Sequence, residues 1–219
     1  VAAGGSLDLA ARAAQRIFQE KRDLGQPINV INKPGGGNTI AWTYLNTHSG
    51  NPHYLSLTTN SLVINPIIGT SPIGPNEVTP IVHLSREDIV FTVRADSAVK
   101  TAQDLVERLK KAPGSVSFGI ATSLGNPSHI AIAQVARAAG VDLRSLKVVV
   151  FNASTQAMAT LLGGNIDVLV SSPGNPSPHV QAGKLRALAV SSTTRLGGVY
   201  AATPTWRDLG VASVSRFWR

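Results

Sequence analysis

Five short stretches of small and polar residues have the composition expected of anion-binding loops. They read VAAGGS (1–6), TTNS (58–61), ATSLGNPS (121–128), FNAST (151–155) and SSPGN (171–175). Helix N-termini present free backbone N–H groups and partial positive charge, and small residues let a ligand approach the backbone. A hydrogen bond to a charged group contributes about 1.5–3 kcal/mol, so three or four of them could bind a small anion, such as a carboxylate, at micromolar concentration. The alternative is that they are ordinary caps and turns of βα loops.

The sequence offers little for catalysis, metal binding or nucleotide binding. It has no cysteine, no G-x-S-x-G elbow and no H-E-x-x-H motif, and KPGGGNT (33–39) lacks the G-K-[ST] ending of a phosphate loop. An enzyme is the least favoured of three hypotheses for this chain, and the only candidate catalytic groups would be Ser6, Ser123, Ser154 and His129. We therefore predict no catalytic residue, no metal site, no cofactor and no enzymatic activity.

Composition indicates a folded protein rather than a disordered one. Of the 219 residues, 43% are hydrophobic and only 15% are charged, against roughly 25% charged in average soluble domains. The net charge of +8 indicates either a generally basic surface or a field that gathers anionic ligands. Basic residues are scattered, so we expect no nucleic-acid binding, and no apolar run reaches the roughly 18 residues of a membrane span.

Strand-like and helix-like segments alternate along the chain, which predicts an α/β protein. Residues 6–20 have apolar side chains at helical spacing, whereas Lys147–Phe151 and 166–170 are nearly continuous apolar runs typical of buried parallel strands. Further strands are predicted at INVINK (28–33) and HYLSL (53–57). Ligands of open parallel sheets bind beyond the carboxyl ends of the strands, where all five stretches lie, so we expect one pocket.

Several longer motifs occur in the order found in one known family. AAGGSLDLAAR, NVINKPGGGNTIAW, DLVERLKKAPGSVSFGIATSLGNPSHIA, ATLLGGNIDVLV and HVQAGKLRALAVSS together resemble the substrate-binding receptors of tripartite tricarboxylate transporters, also called TctC-like or Bug-type proteins. The resemblance runs from Val1 to about Gly210. It implies a type II periplasmic binding fold, in which two α/β lobes, each with a mainly parallel sheet, are joined by two crossing strands.

The resemblance also implies a division of the chain and a set of ligand-binding residues. Lobe one would comprise residues 1–96 with 198–219, lobe two residues 97–197, and IVFTVRAD and LRALAVSS would be the crossing strands. A small carboxylate would be held mainly by backbone amides and hydroxyls. The implied ligand-binding residues are Ala3, Gly4, Gly5, Ser6, Thr59, Asn60, Ser61, Thr122, Ser123, Asn126, Asn152, Ala153, Ser154 and Asn175.

The family further implies a monomeric periplasmic receptor that delivers its ligand to membrane transporter subunits. The other hypothesis is an effector-sensing domain of a signalling or regulatory protein, which a fused DNA-binding or membrane region would reveal. Family members have a strand before the position of Val1 and more elements after that of Arg219, so we expect a piece of a longer chain, with a signal peptide outside this sequence. FNA and SPG replace the usual YKG and ADL, so the ligand is not copied from other members.

Overall fold

The computed structural model describes residues 3–21, 25–84, 86–211 and 217–218, and these form a mixed α/β protein. The α-helices are α1 (Ser6–Lys21), α2 (Thr39–Asn46), α3 (Ser61–Ile67), α4 (Ala102–Lys111), α5 (Pro127–Ala138), α6 (Ser154–Leu162) and α7 (Ser177–Gln181). Short 3-10 helices occupy Gly36–Asn38, Pro75–Glu77, Pro113–Ser115, Leu143–Ser145, Gly198–Tyr200 and Arg207–Leu209. The strands are β1 (Arg86–Glu87), β2 (Val90–Arg94), β3 (Ser117–Ala121), β4 (Lys147–Phe151), β5 (Val168–Ser171), β6 (Leu185–Val190) and β7 (Phe217–Trp218).

One five-stranded sheet organises the fold, with strand order β4-β3-β5-β2-β6. β3 pairs in parallel with β4 and β5, whereas β2 pairs antiparallel with β5 and β6. The two strands predicted to cross between lobes therefore lie side by side, with a register shift between Phe91 and Thr92. The carboxyl ends of β3, β4 and β5 meet at one edge, which is the geometry that the sequence predicted for ligand binding.

The hydrophobic core covers both faces of this sheet. On one face Phe91, Phe118 and Val170 pack with Leu105 of α4 and Ile132 of α5 in the largest buried cluster. On the other face α6 packs Ala157, Met158 and Leu161 against Leu169 and Leu185. Burial on both faces explains why the strands are nearly continuous apolar runs.

The sequence predicts that Thr101 and Asp104 cap α4, that the next helix begins at Ile130 and that Gly163 ends α6; the first and third predictions are confirmed. Thr101 Oγ1 accepts a hydrogen bond from Asp104 N–H while the Asp104 carboxylate accepts one from Thr101 N–H, which is a capping box for α4. α5 begins three residues earlier than the predicted Ile130, because Pro127 occupies the first turn and Asn126 Oδ1 caps His129 N–H at 2.8 Å. α6 ends at Gly163, also as predicted.

The predicted strands at 28–33 and 53–57 are wrong. Neither segment is assigned as a strand, and among the described residues before β2 the only paired strand is the two-residue β1, which pairs with β7. A strand exists only when a neighbouring chain accepts and donates its ladder hydrogen bonds, and no described segment does so here. Apolar side chains in these segments remain exposed, including Ile31 at 56% and Leu55 at 75%.

Candidate functional site

A cavity of about 70 Å³ lies beyond the carboxyl ends of β3, β4 and β5. Sixteen residues line it, and none of those described carries a charged side chain. They are Gly5, Leu7, Asn38, Thr59, Ile89, Ala121, Thr122, Asn126, Pro127, Ser128, Asn152, Ala153, Ser154, Val170, Ser171 and Ser172. All five predicted stretches contribute at least one of these residues, and three contribute two or more. The pocket therefore combines hydroxyl, amide and main-chain groups with apolar side chains such as Leu7, Ile89 and Val170.

Three long helices begin at this cavity. Gly5 and Leu7 bring the start of α1, Asn126 to Ser128 bring the start of α5, and Ala153 and Ser154 bring the start of α6. No side chain caps the N-terminus of α6, whereas Asn126 caps α5. Because the first N–H groups of a helix have no partner within the helix, those of α6 are the best placed to meet a ligand anion.

Asp8 organises the loop at the start of α1. Its buried carboxylate, 2% exposed, accepts hydrogen bonds from Gly4 N–H at 2.9 Å, Arg12 Nε at 3.0 Å and Asn32 Nδ2 at 3.0 Å. Burial by itself raises the pKa of Asp8, but these hydrogen bonds outweigh it and hold that pKa below the ordinary 3.8. Asp8 thus fixes the backbone beside Gly5 and ties it to the segment that leads to the glycine loop.

Two non-glycine residues of the cavity wall have left-handed backbone conformations. Asn38 has φ 85° and Thr122 has φ 75°, and the described chain has no other non-glycine residue with positive φ. Asparagine tolerates this conformation, but a β-branched threonine is strained there. Thr122 N–H donates to Phe151 O at 2.8 Å, which links the ends of β3 and β4 at the site.

The structure brings half of the predicted ligand-binding residues to the cavity wall. Gly5, Thr59, Thr122, Asn126, Asn152, Ala153 and Ser154 line it. Ala3, Gly4, Asn60, Ser61, Ser123 and Asn175 lie outside the lining, and the side chain of Ser6 lies outside the described part of the chain. That any of these residues binds a ligand stays a prediction.

Residues outside the lining still shape it. Thr59 Oγ1 lies 2.9 Å from Ser61 Oγ, so the serine supports the threonine at the wall. Asn175 N–H donates to Ser172 O, and the hydroxyl of buried Tyr200 donates to Pro173 O. Burial raises the pKa of Tyr200 to about 12, so this hydroxyl stays protonated and keeps the loop in place.

Nine lining residues were not among the predicted ligand-binding residues, although five of them lie within the predicted stretches. Most are apolar strand ends or neighbours of predicted positions, namely Leu7, Ile89, Ala121, Pro127, Ser128, Val170, Ser171 and Ser172. Asn38 is different, because the glycine run before it was considered only as a phosphate loop and set aside. An asparagine directly after three glycines was a usable signal, since asparagine is enriched at positive φ.

The geometry does not assemble a catalytic group at the proposed nucleophiles. His129 Nδ1 accepts a hydrogen bond from Gly125 N–H at 2.9 Å, and burial lowers the pKa of His129. Ser123 Oγ has no hydrogen-bond partner among the residues described, so His129 does not activate it. The described residues also contain no group of three acidic or histidine side chains that could hold a metal ion. None of the helices described is both long and apolar enough to cross a bilayer.

Comparison with known proteins agrees with this arrangement. The family model described as "Tripartite tricarboxylate transporter family receptor" matches residues 10–218. Protein BugT of Bordetella pertussis is 26% identical over 213 residues, which cover 94% of this chain and 63% of BugT. A solved structure described as a periplasmic transporter is 28% identical, with TM-score 0.86, and the match covers 99% of this chain and 72% of that one. MatC from Rhodopseudomonas palustris with bound malate has the same fold, with TM-score 0.86 at 22% identity, and the match covers 99% of this chain and 73% of MatC.

Proposed function

Because the chain belongs to the tripartite tricarboxylate transporter receptor family, we propose that it binds a small carboxylate in the cavity and delivers it to membrane transporter subunits. The family consists of solute receptors rather than enzymes. The chain spans 63% of the length of BugT, so the ligand and the transporter of the whole protein belong to this proposal. We place the protein in the periplasm, where such receptors work, as a monomer.

The convergence of helix N-termini on an uncharged cavity carries the proposal. α1, α5 and α6 direct their partial positive charges toward one space whose described lining has no cationic side chain. An anion there gains hydrogen bonds from main-chain N–H groups and from hydroxyls such as those of Ser128 and Ser154, both 8% exposed. A carboxylate fits this donor set because its two oxygens only accept hydrogen bonds.

Cavity size favours a small ligand. One water needs about 10–15 Å³ of such space, so a cavity of about 70 Å³ holds roughly five groups of that size. A carboxylate with a short carbon chain fits this space, and a longer one requires the two predicted lobes to stand further apart. The malate bound to MatC is a ligand of this class.

The proposed ligand site spans the two predicted lobes. Gly5, Asn38 and Thr59 belong to lobe one, and Thr122, Asn152 and Ser154 belong to lobe two. One ligand that contacts both groups favours the closed arrangement over an open one by its additional contacts. Such closure would let the transporter subunits distinguish the loaded receptor from the free one by its shape.

Isothermal titration calorimetry against a panel of mono-, di- and tricarboxylates tests the proposal. We expect at least one small carboxylate to bind with micromolar affinity, and uncharged amides of the same skeletons not to bind. Ser154→Asp should abolish binding, because it sets a second negative charge where the carboxylate lies. If no carboxylate bound at millimolar concentration to folded protein, the proposal would be wrong.

A further inference from the structure

A seam of buried polar atoms without partners adjoins the cavity. We define this seam by Gly37, Asn65 and Ser123. Asn65 is completely buried, and its Nδ2 donates to Gly37 O at 2.8 Å. Within the described residues, Asn65 Oδ1 and Ser123 Oγ have no hydrogen-bond partner, and neither has Oγ1 of nearby Thr39. Buried polar groups are paired in most proteins, so this cluster has unused capacity to bind a further polar group.

The chemistry of the missing group follows from Asn65. Gly37 O can only accept a hydrogen bond, so the Asn65 side-chain atom that faces it must be the donor Nδ2. This sets the orientation of the amide and identifies the unpaired atom as Oδ1. Oδ1 is a pure acceptor and can be satisfied only by a donor. The hydroxyl of Ser123 can donate or accept, so it can complement the same group. The seam is therefore suited to a group that both donates and accepts, which is the property of a hydroxyl.

The seam lies beside the cavity and spans the two predicted lobes. Asn38 follows Gly37 and Thr122 precedes Ser123, and both of these neighbours line the cavity. A Cβ atom at position 37 would lie 2.9 Å from Asn65 Nδ2 and 3.4 Å from Ser123 Cβ. The absence of a side chain at Gly37 thus lets this loop of predicted lobe one approach both Asn65 and Ser123 closely.

We propose that this seam recognises a hydroxyl group of the ligand, so that the protein selects hydroxycarboxylates over the same acids without the hydroxyl. The inference rests on the proposed carboxylate-binding function and assigns the substrate class within it. Helix N-termini hold the carboxylate in the cavity, while Asn65 Oδ1 accepts from the hydroxyl and Ser123 Oγ donates to it. An acid without this hydroxyl leaves Asn65 Oδ1 unpaired in a buried place, which disfavours its binding.

Matched ligand pairs test the inference directly. Titration calorimetry on the full-length protein compares L-malate with succinate and L-lactate with propionate, since each pair differs by one hydroxyl. We expect the hydroxy acid of at least one pair to bind ten times or more tightly than its partner. Equal affinity within every pair that binds would overturn the inference and leave the proposed function intact. Lack of binding by all four acids, together with the whole carboxylate panel, would overturn both.

Variants assign the preference to the seam. Asn65→Ala and the milder Ser123→Ala should weaken binding of the hydroxy acid about tenfold while affinity for its partner acid changes less than twofold. Thr92→Val is the matched control, because Thr92 Oγ1 is also buried without a described partner but lies within the sheet. It should keep the wild-type preference. An undiminished preference in folded Ser123→Ala and Asn65→Ala proteins would place the discrimination elsewhere and refute the assignment.

Discussion

At the scale of single residues, Asp8 is the group that connects the first helix to the site. Two of its three hydrogen bonds hold Gly4, next to cavity residue Gly5, and Asn32, in the segment that precedes Asn38. A negative charge in the first turn of α1 is favourable in itself. The long-range bond to Asn32 gives it a second role, since it fixes two loops of the cavity wall relative to each other.

We predict that Asp8→Asn lowers both stability and ligand affinity at pH 7. Loss of the carboxylate leaves buried donors poorly paired, which should lower Tm by about 2–8 °C. Because the pKa of Asp8 in the folded protein lies below the ordinary 3.8, its stabilising contribution is complete above that pH and is lost as pH falls through the folded-state value. The Tm difference between wild type and variant, measured by calorimetry, should therefore shrink below about pH 3.8.

Arg12→Ala serves as the control for Asp8. It removes one partner, whose side chain is 50% exposed, and keeps the bonds from Gly4 and Asn32. Its effect on Tm and on Kd should be smaller than that of Asp8→Asn. If both variants bound ligand like the wild type, Asp8 would have no role in positioning the loop.

Thr122 exemplifies a residue kept in a strained conformation at the site. A non-glycine residue held at such a φ costs about 1–3 kcal/mol, whereas the additional chain entropy of a glycine costs about 0.5–1 kcal/mol. We predict that Thr122→Gly leaves the protein as stable as wild type or up to about 2 kcal/mol more stable, while ligand affinity falls severalfold because the loop is less ordered. Chemical denaturation and calorimetry measure the two effects. A clear loss of stability with normal affinity would contradict this expectation.

At the scale of elements, the capping box of α4 stabilises a helix that does not line the cavity. Thr101 and Asp104 cap a helix that contributes to the main core but not to the cavity lining. We predict that Thr101→Ala lowers the free energy of unfolding by about 0.5–2 kcal/mol and leaves Kd unchanged. Gln103→Ala, an exposed position of the same helix, should change neither quantity. Denaturant titration and calorimetry on both variants make the comparison.

Elements specified by nearby residues were predictable from the sequence, and those that depend on distant partners were not. Caps and glycines within a few positions define α4, α5 and α6, so their existence followed from local patterns. The segments 28–33 and 53–57 have the residue types of strands, but a strand also needs a neighbour, which sequence pattern alone does not supply. Register and bulges, such as the shift at Phe91, depend on packing for the same reason.

The same distinction explains the candidate site. The loops after β3, β4 and β5 were predictable as a group, because the parallel arrangement alone places their ends at one edge. The bond from Asn32 to Asp8, by contrast, joins segments more than twenty residues apart, which no local pattern predicts. Ser123, whose ligand-binding role stays a prediction, lies next to Gly37, and this contact between distant segments does not follow from the sequence pattern.

At the scale of the whole molecule, the loop after β3 packs against the glycine loop and α3 across the cleft. A Cβ atom at Gly125 would lie 2.6 Å from Ile64 Cγ2 and 3.6 Å from Ile68 Cδ1. Gly125 belongs to predicted lobe two, and both isoleucines belong to predicted lobe one. This contact and the one between Gly37 and Ser123 join residues that the sequence assigns to different predicted lobes.

We predict that ligand binding reduces the radius of gyration in small-angle X-ray scattering, and that Gly125→Ala suppresses the reduction. The added methyl group must displace Ile64, which should hold the lobes apart and weaken binding. Gly183→Ala is the matched control, because Gly183 also has positive φ, 68° against 80° for Gly125, but no atom lies within 4 Å of its added Cβ. The Gly183→Ala variant carries similar backbone strain without the steric contact, so its radius of gyration should still decrease when ligand binds. An equal decrease in both variants would mean that the Gly125 contact does not control closure. Identical scattering of the wild type with and without saturating ligand would mean that no closure occurs.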